Sequence, residues 1–526
     1  MVLTRHQRRS LSARLENLAP ELLRRIFECF CLHCHGRPDL PFWSLHEPTS
    51  LEATVSADSS TYWQGRQALH SLCLVSRRFR DVAQGVLFHE FIIPVGRQPT
   101  SLHRRVEPFL RTLASRPDLA QVVCTVALDE YLSLRLDVEY AREMVKEALH
   151  SLGTNFAHFW ERRKQCQEPE RHPACFEISQ RFILGQLQPG DSSSEYVQGL
   201  VMAEILVLLV AMLPNLQHLI LRDHLFPQVV FPAAASALGI TKIPLKTLDA
   251  TVVPSSILAV APDLETVHVG PQDSYPKMPS VKGVYFCGHG SDDNINVKKI
   301  ISSCSSALST FSYQTTFIWS SVDQSVAKML QPRPAVELLT DVCTSLRSLH
   351  LDMRFRVAFD RDSQVESMPS LKQFIVLEEL LLTTNSVYNG SSSTVSDEDV
   401  LVHLLPQSIK SVTFVDPEFP PPPERLRRGF LGLADARRDN GLFPNLKALR
   451  CDSSQICDDG VIKHFFSQVG VDFKYQEFPT RSWSYSRDPL PAESPRLAIE
   501  AYLRELEHYS HGPLPYHLDE DLDEDL

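Results

Sequence analysis

Nowhere does the chain carry an apolar run long enough to cross a bilayer. Its most apolar stretch, Leu200 to Leu213, is interrupted by Glu204 and falls short of the ~20 residues a spanning helix needs. It is expected to form a buried helix. A surplus of positive charge is missing as well. The formal net charge of −12 excludes a general binder of nucleic acid or of anionic membranes, both of which want a cationic surface. The one basic cluster, Arg5, Arg8, Arg9 and Arg14, reads as a solvated basic tail over residues 1–14. It is not followed by the apolar segment of a secretory signal, so the expected location is intracellular, in cytoplasm or nucleus. Nucleotide-binding Gly-x-Gly-x-x-Gly and Gly-x-x-x-x-Gly-Lys motifs, the Gly-x-Ser-x-Gly of hydrolases and the His-Glu-x-x-His of metalloproteases do not occur. Nothing in the sequence supports an enzyme, and no cofactor is expected.

What is present is length and pattern. The 526 residues exceed one compact core, which implies several domains or an elongated array of repeats. Residues 15–94 hold two helical patterns separated by a loop at 31–70. In the first, Leu22, Leu23, Ile26, Phe27 and Phe30 recur at helical spacing behind Pro20 and Glu21, residues suited to a helix start. In the second, from about 68 to 88, Leu72, Val75, Phe79, Val82 and Val86 share one face. Two short amphipathic helices cannot bury both stripes against each other, so part of this surface is expected to want a partner.

From about residue 118 to 480 the chain becomes repetitive. An apolar residue, two of any kind, an apolar residue, one of any kind and an apolar residue recur ten times. The first unit is Val123/Val126/Leu128; later units start at 216, 245, 264, 281, 308, 346, 377, 409 and 446. Several are introduced by a Pro-x-Leu lead-in, at 214, 262, 369 and 444. The spacing suggests stacked repeats with insertions, the largest a helical stretch at 137–212. Segment 481–526 closes on an acidic run, Asp519 to Asp525, expected to repel itself and stay unfolded.

Leu18-Ala19-Pro20-Glu21-Leu22-Leu23 with Ile26-Phe27, then Leu72-Cys73-Leu74-Val75-Ser76-Arg77-Arg78-Phe79-Arg80, resembles the F-box. That is a small three-helix module which docks the Skp-type adaptor of cullin ubiquitin ligases. An F-box followed by degenerate leucine-rich repeats is a common family architecture. The resemblance implies an α/β repeat solenoid, an irregular leucine-rich-repeat array with parallel strands, preceded by a small α-helical F-box module. It implies a non-catalytic adaptor that binds Skp and cullin ligase subunits and presents an unidentified protein substrate for ubiquitination. The alternative is a repeat scaffold without ligase docking. Leu18, Pro20, Glu21, Leu22, Ile26, Phe27, Leu72, Val75, Arg78 and Phe79 are by resemblance the adaptor-binding candidates, although the apolar ones equally suit the module's own core. The chain departs from the family in having Ala19 where a proline is usual, in the 31–70 insertion, and in lacking the Asn that usually follows each repeat strand.

In a repeat strand, residues between the apolar positions face away from the core. His218, Arg222, Asp249, His268, Tyr285, His350, Asp352, Glu379 and Arg450 are therefore the expected substrate face. The run Cys29-Phe30-Cys31-Leu32-His33-Cys34-His35 matches the haem-attachment spacing and half a zinc site. Without a second Cys-x-x-Cys, and with only His46 noted as a further ligand, it reads first as a helix end and loop. Cys29, Cys31, Cys34 and His35 remain open as a zinc set. The twelve cysteines are expected to be reduced, most of them buried.

Overall fold

The structure is a computed structural model. It describes residues 15–476 apart from 16, 32, 36–60, 93–101, 130–137, 166–172, 188–194, 223–230, 251–252, 254, 273, 289–291, 305–306, 316–329, 355–366, 389–394, 418–419, 454–455 and 457–459. The basic tail, the acidic tail, His46 and most of the 31–70 loop lie outside the described residues. The chain divides into two units, residues 1–483 and 484–526. Every element described below belongs to the first.

Among the described residues, twelve strands form one sheet in sequence order, every neighbouring pair parallel. They are β1 (Glu90–Ile92), β2 (Thr125–Asp129), β3 (His218–Arg222), β4 (Thr247–Ala250), β5 (Thr266–Val269), β6 (Gly283–Gly288), β7 (Thr310–Thr315), β8 (Ser348–Asp352), β9 (Glu379–Thr383), β10 (Ser411–Val415), β11 (Ala448–Cys451) and β12 (Asp472–Tyr475). Helices or short turns fill most crossovers, which gives a solenoid-like α/β architecture.

The register lines up the apolar triplets strand by strand. One row runs Val126, Leu219, Leu248, Val267, Val284, Phe311, Leu349, Leu380, Val412, Leu449 and Phe473. The row two residues on begins with Leu128 and Leu221 and runs through Phe414 and Cys451 to Tyr475. All members of the ten sequence triplets are buried, including Leu377. Because strand side chains alternate with period two, a one-residue slip would turn these residues away from the core.

At three places the residue just before a triplet ties its turn to the one before. Asn215 Nδ2 donates to the Gln121 carbonyl at 2.7 Å, Ser345 Oγ to Leu308 at 2.9 Å and Ser408 Oγ to Leu377 at 2.8 Å. These bonds satisfy carbonyls at a place where adjacent turns stack.

Leu200–Leu213 lies within and just after the helix Glu195–Met212, in which residues 197–210 are buried on all sides. Glu204 is tolerated there because Arg163, equally buried, pairs with it, and the guanidinium lies over the Trp160 ring at 5.5 Å. Among the described residues, no helix is long and apolar enough to cross a membrane.

The N-terminal module differs from expectation in one respect. The pattern read as one helix from about 68 to 88 is two helices, Thr61–Val75 and Arg77–Leu87. Ser76 separates them: its backbone is extended and its hydroxyl accepts the Phe79 N–H at 3.2 Å, capping the later helix. Residues 61–70, assigned to the loop, are thus helical. With Pro20–Glu28 the module has three helices around Leu23, Phe27, Leu69, Cys73, Phe79, Ala83 and Val86. Phe27 and Phe79 meet edge to face, centroids 5.8 Å apart. Farther along, Ser396 caps a helix over Asp397–Leu404.

Candidate functional site

Three places could carry function: the outer surface of the helical module, the polar face of the sheet, and the joint between them.

On the module, the first helix turns Leu23 and Phe27 inward and leaves Leu22 and Ile26, one helical turn apart, exposed at 53% and 40%. Leu74 and Val75, at the end of the second helix, are exposed at 70% and 56%. Arg78 donates to the Leu18 carbonyl, which brings the start of the first helix beside the 74–78 junction. Pro20, Glu21 and Arg78 are exposed, while Leu18 and Leu72 lie partly buried against the module's core. Phe27 and Phe79 are corrected: each is 3% exposed and belongs to that core. Leu74 was missed as a candidate because its place at a helix end, where the chain breaks at Ser76, was not visible as periodicity.

The polar face of the sheet has the predicted order but not the predicted accessibility. Ile220, Asp249, His268, Tyr285, Ser312, His350, Leu381, Thr413 and Arg450 stand side by side in one row. Within it Asp249, His268 and His350 are almost wholly buried, as are His218 and Asp352 elsewhere on the strands. These five are corrected as substrate-face residues. His268 stacks on Tyr285 at 4.3 Å, His350 shares a hydrogen bond with Ser348 at 3.0 Å, and Asp352 is held by Arg354 at 2.7 Å. Burial also lowers the His218 imidazole to about 4, which keeps it neutral. Tyr285 and Arg450 are part-exposed and Glu379 exposed; Arg450 pairs with Asp472 at 2.8 Å. The side chain of Arg222 lies outside the described ones.

The joint gathers the sulfur and imidazole groups. The chain leaves the first helix at Glu28, and Cys31 drops into the module's core while residues 33–35 make a tight turn. That turn lies against the residue linking the third helix to β1. There His89 Nδ1 is 3.1 Å from Cys34 Sγ and 3.7 Å from Cys31 Sγ, and Cys34 Sγ is 3.9 Å from His33 Nδ1. Ligand atoms of Cys31, His33, Cys34 and His89 all lie within 4.8 Å of one another. The buried Glu90 closes the base: its Oε1 accepts the His33 backbone N–H at 2.5 Å and sits 3.4 Å from Cys31 Sγ.

The titrations reflect this crowding. A hydrogen bond with Cys34, then burial, pushes the Cys31 thiol up, and the same bond draws the Cys34 thiol down. His33 is raised to about 10, first by its hydrogen bond with Cys124 and next by that with Cys31. The open zinc set is therefore corrected in membership. Cys29 is exposed and outside the cluster, the side chain of His35 is not among those described, and the further imidazole is His89, which no local motif could have flagged. None of the described cysteines forms a disulfide. No protein-family model matches the chain, and no curated protein matches it.

Proposed function

We propose that this chain is a non-catalytic adaptor of the F-box type, whose three-helix module docks a Skp-type subunit of a cullin ligase while the repeat array holds a protein substrate. One observation carries the reading: the module closes a core of its own and still leaves Leu22, Ile26, Leu74 and Val75 in solvent. A three-helix unit that has satisfied its interior has no internal use for four more large apolar side chains, and such a patch marks a docking surface. The covalent chemistry then belongs to other subunits, and the adaptor acts by proximity, raising the effective concentration of target beside the transfer machinery. On the array, Tyr285, Glu379 and Arg450 are the members of the expected substrate face that keep accessible surface among the described residues.

The test is co-purification with a Skp-type subunit, comparing the native chain with a Leu22→Glu/Val75→Glu variant. Both side chains are exposed, so far-ultraviolet circular dichroism should not change. Association should weaken at least tenfold, on the order of the 1.4 kcal/mol or more that a desolvated apolar anchor supplies. Undiminished association of the folded variant, or none with the native chain, would overturn the proposal.

A further inference from the structure

We propose that Cys31, Cys34, His33 and His89 form a structural zinc site that fastens the helical module to the first strand of the sheet.

Geometry is the first argument. Four ligands around zinc, with Zn–S about 2.3 Å and Zn–N about 2.1 Å, stand about 3.4–3.8 Å from one another on the edges of a tetrahedron. Three of the four S···N separations, 3.1, 3.7 and 3.9 Å, bracket that range, and all four ligand atoms lie within 4.8 Å of one another. Two thiols and two imidazoles are also the donor set of a closed structural site, and two thiolates neutralise the ion, which suits a half-buried position.

The surroundings supply a second argument. Glu90 is 2% exposed, and while its Oε1 is engaged beside Cys31, its Oε2 is buried with no hydrogen-bond partner. A buried carboxylate left half unsatisfied against a sulfur is costly. Its position beside the ligands is the outer-layer place that carboxylates often take around metals. Cys124, just before β2, and His218, the first residue of β3, border His33, so the cluster is also closed on the sheet side.

The position says what the ion does. Cys31, His33 and Cys34 follow the first helix, whereas His89 stands 55 residues beyond Cys34 at the entry to β1. A metal bound there closes a loop across the whole module, including residues 36–60, and fixes the turn at 33–35 against the sheet. Loading displaces protons from both thiols to solvent, with no change of oxidation state.

Metal analysis of the purified full chain should find about one zinc per molecule. Cys31→Ser/Cys34→Ser and His89→Ala should each lose it, and Cys29→Ser, outside the cluster, should keep it. Because the cluster variants can unfold, the native chain supplies an independent measurement. After chelation it is titrated with cobalt(II), which should develop the visible absorption of tetrahedral cobalt with a thiolate charge-transfer band. Zinc should then protect two thiols from alkylation at Cys31 and Cys34. Absence of zinc together with no tetrahedral cobalt spectrum would overturn the proposal, and so would a Cys31–Cys34 disulfide in the unreduced protein. None of these readouts involves a ligase subunit, so their failure is distinct from failure of the docking proposal.

Discussion

Asp452 shows how the fold holds a charge that the sequence presents as ordinary. It follows β11, and its Oδ1 accepts the Asp416 N–H at 2.6 Å. Arg354 lies 3.9 Å away but is already committed to Asp352 through bonds of 2.7 and 3.0 Å. Burial first, and the neighbouring Asp416 second, push the Asp452 carboxyl up to about 7. Asp416, which also accepts the Thr384 hydroxyl, is itself raised by burial. The folded protein therefore keeps a proton that the unfolded chain gives up near pH 4. With more protons bound in the folded state, stability falls as pH rises from about 4 to about 7 and levels off above. Thermal midpoints measured across pH 4.5–7.5 (a window of about three units around these values) should decline with rising pH. Asp452→Asn should flatten the decline, and an unchanged slope in that variant would show that the acid titrates normally.

At the scale of elements, close helix packing is set by glycine. The helix Pro423–Asn440 runs against Asp397–Leu404, and a Cβ placed on Gly432 would collide with the backbone carbonyl of Glu398. A carbonyl inside a helix cannot swing aside as a side chain does. Gly432→Ala should therefore cost about 1–3 kcal/mol despite alanine's better helix propensity, read as a lower thermal midpoint; a gain in stability would mean that the two helices part without loss. The elements themselves were unevenly legible. The ten internal strands announced themselves because each places three apolar residues in the shared core, a pattern that survives insertions. β1 and β12 did not. Glu90-Phe91-Ile92 opens with a buried acid and Asp472-Phe473-Lys474-Tyr475 buries only Phe473, for an edge strand has one neighbour and a weaker pattern. The break at Ser76 was hidden because apolar spacing runs on across it, although a serine three residues before Phe79 was the available signal. The Cys/His cluster was half visible: Cys31 and Cys34 advertise themselves by spacing, whereas His89 joins them only through the fold. The burial of His268 and His350 is a property of the row, which no single strand displays.

For the whole molecule, β1 makes the helical module part of the sheet. Phe91 stacks on Phe109 at 3.8 Å and β1 covers the outer edge of β2. A chain beginning at Leu102 would keep eleven strands (the twelve observed, less β1) yet bare the hydrogen-bonding edge of β2 and the face of Phe109. Such an edge invites pairing with other chains, and repeat arrays without their terminal cap lose solubility. The truncated chain should elute as soluble aggregate or fail to remain in solution where the intact chain does not. A monodisperse product with an unshifted thermal midpoint would show that the module is a separate passenger.

The unbroken strand order also works as a ruler. Eleven steps of about 4.8 Å carry the chain from β1 to β12, roughly 50 Å measured along the hydrogen bonds. Each step is bonded only to its neighbours, so adding or removing one whole repeat changes that length by a single increment without disturbing the rows on either side. A ligand gripped near β11 therefore stands at a strand-countable reach from whatever holds the three helices, and evolution can alter that reach in units of one strand.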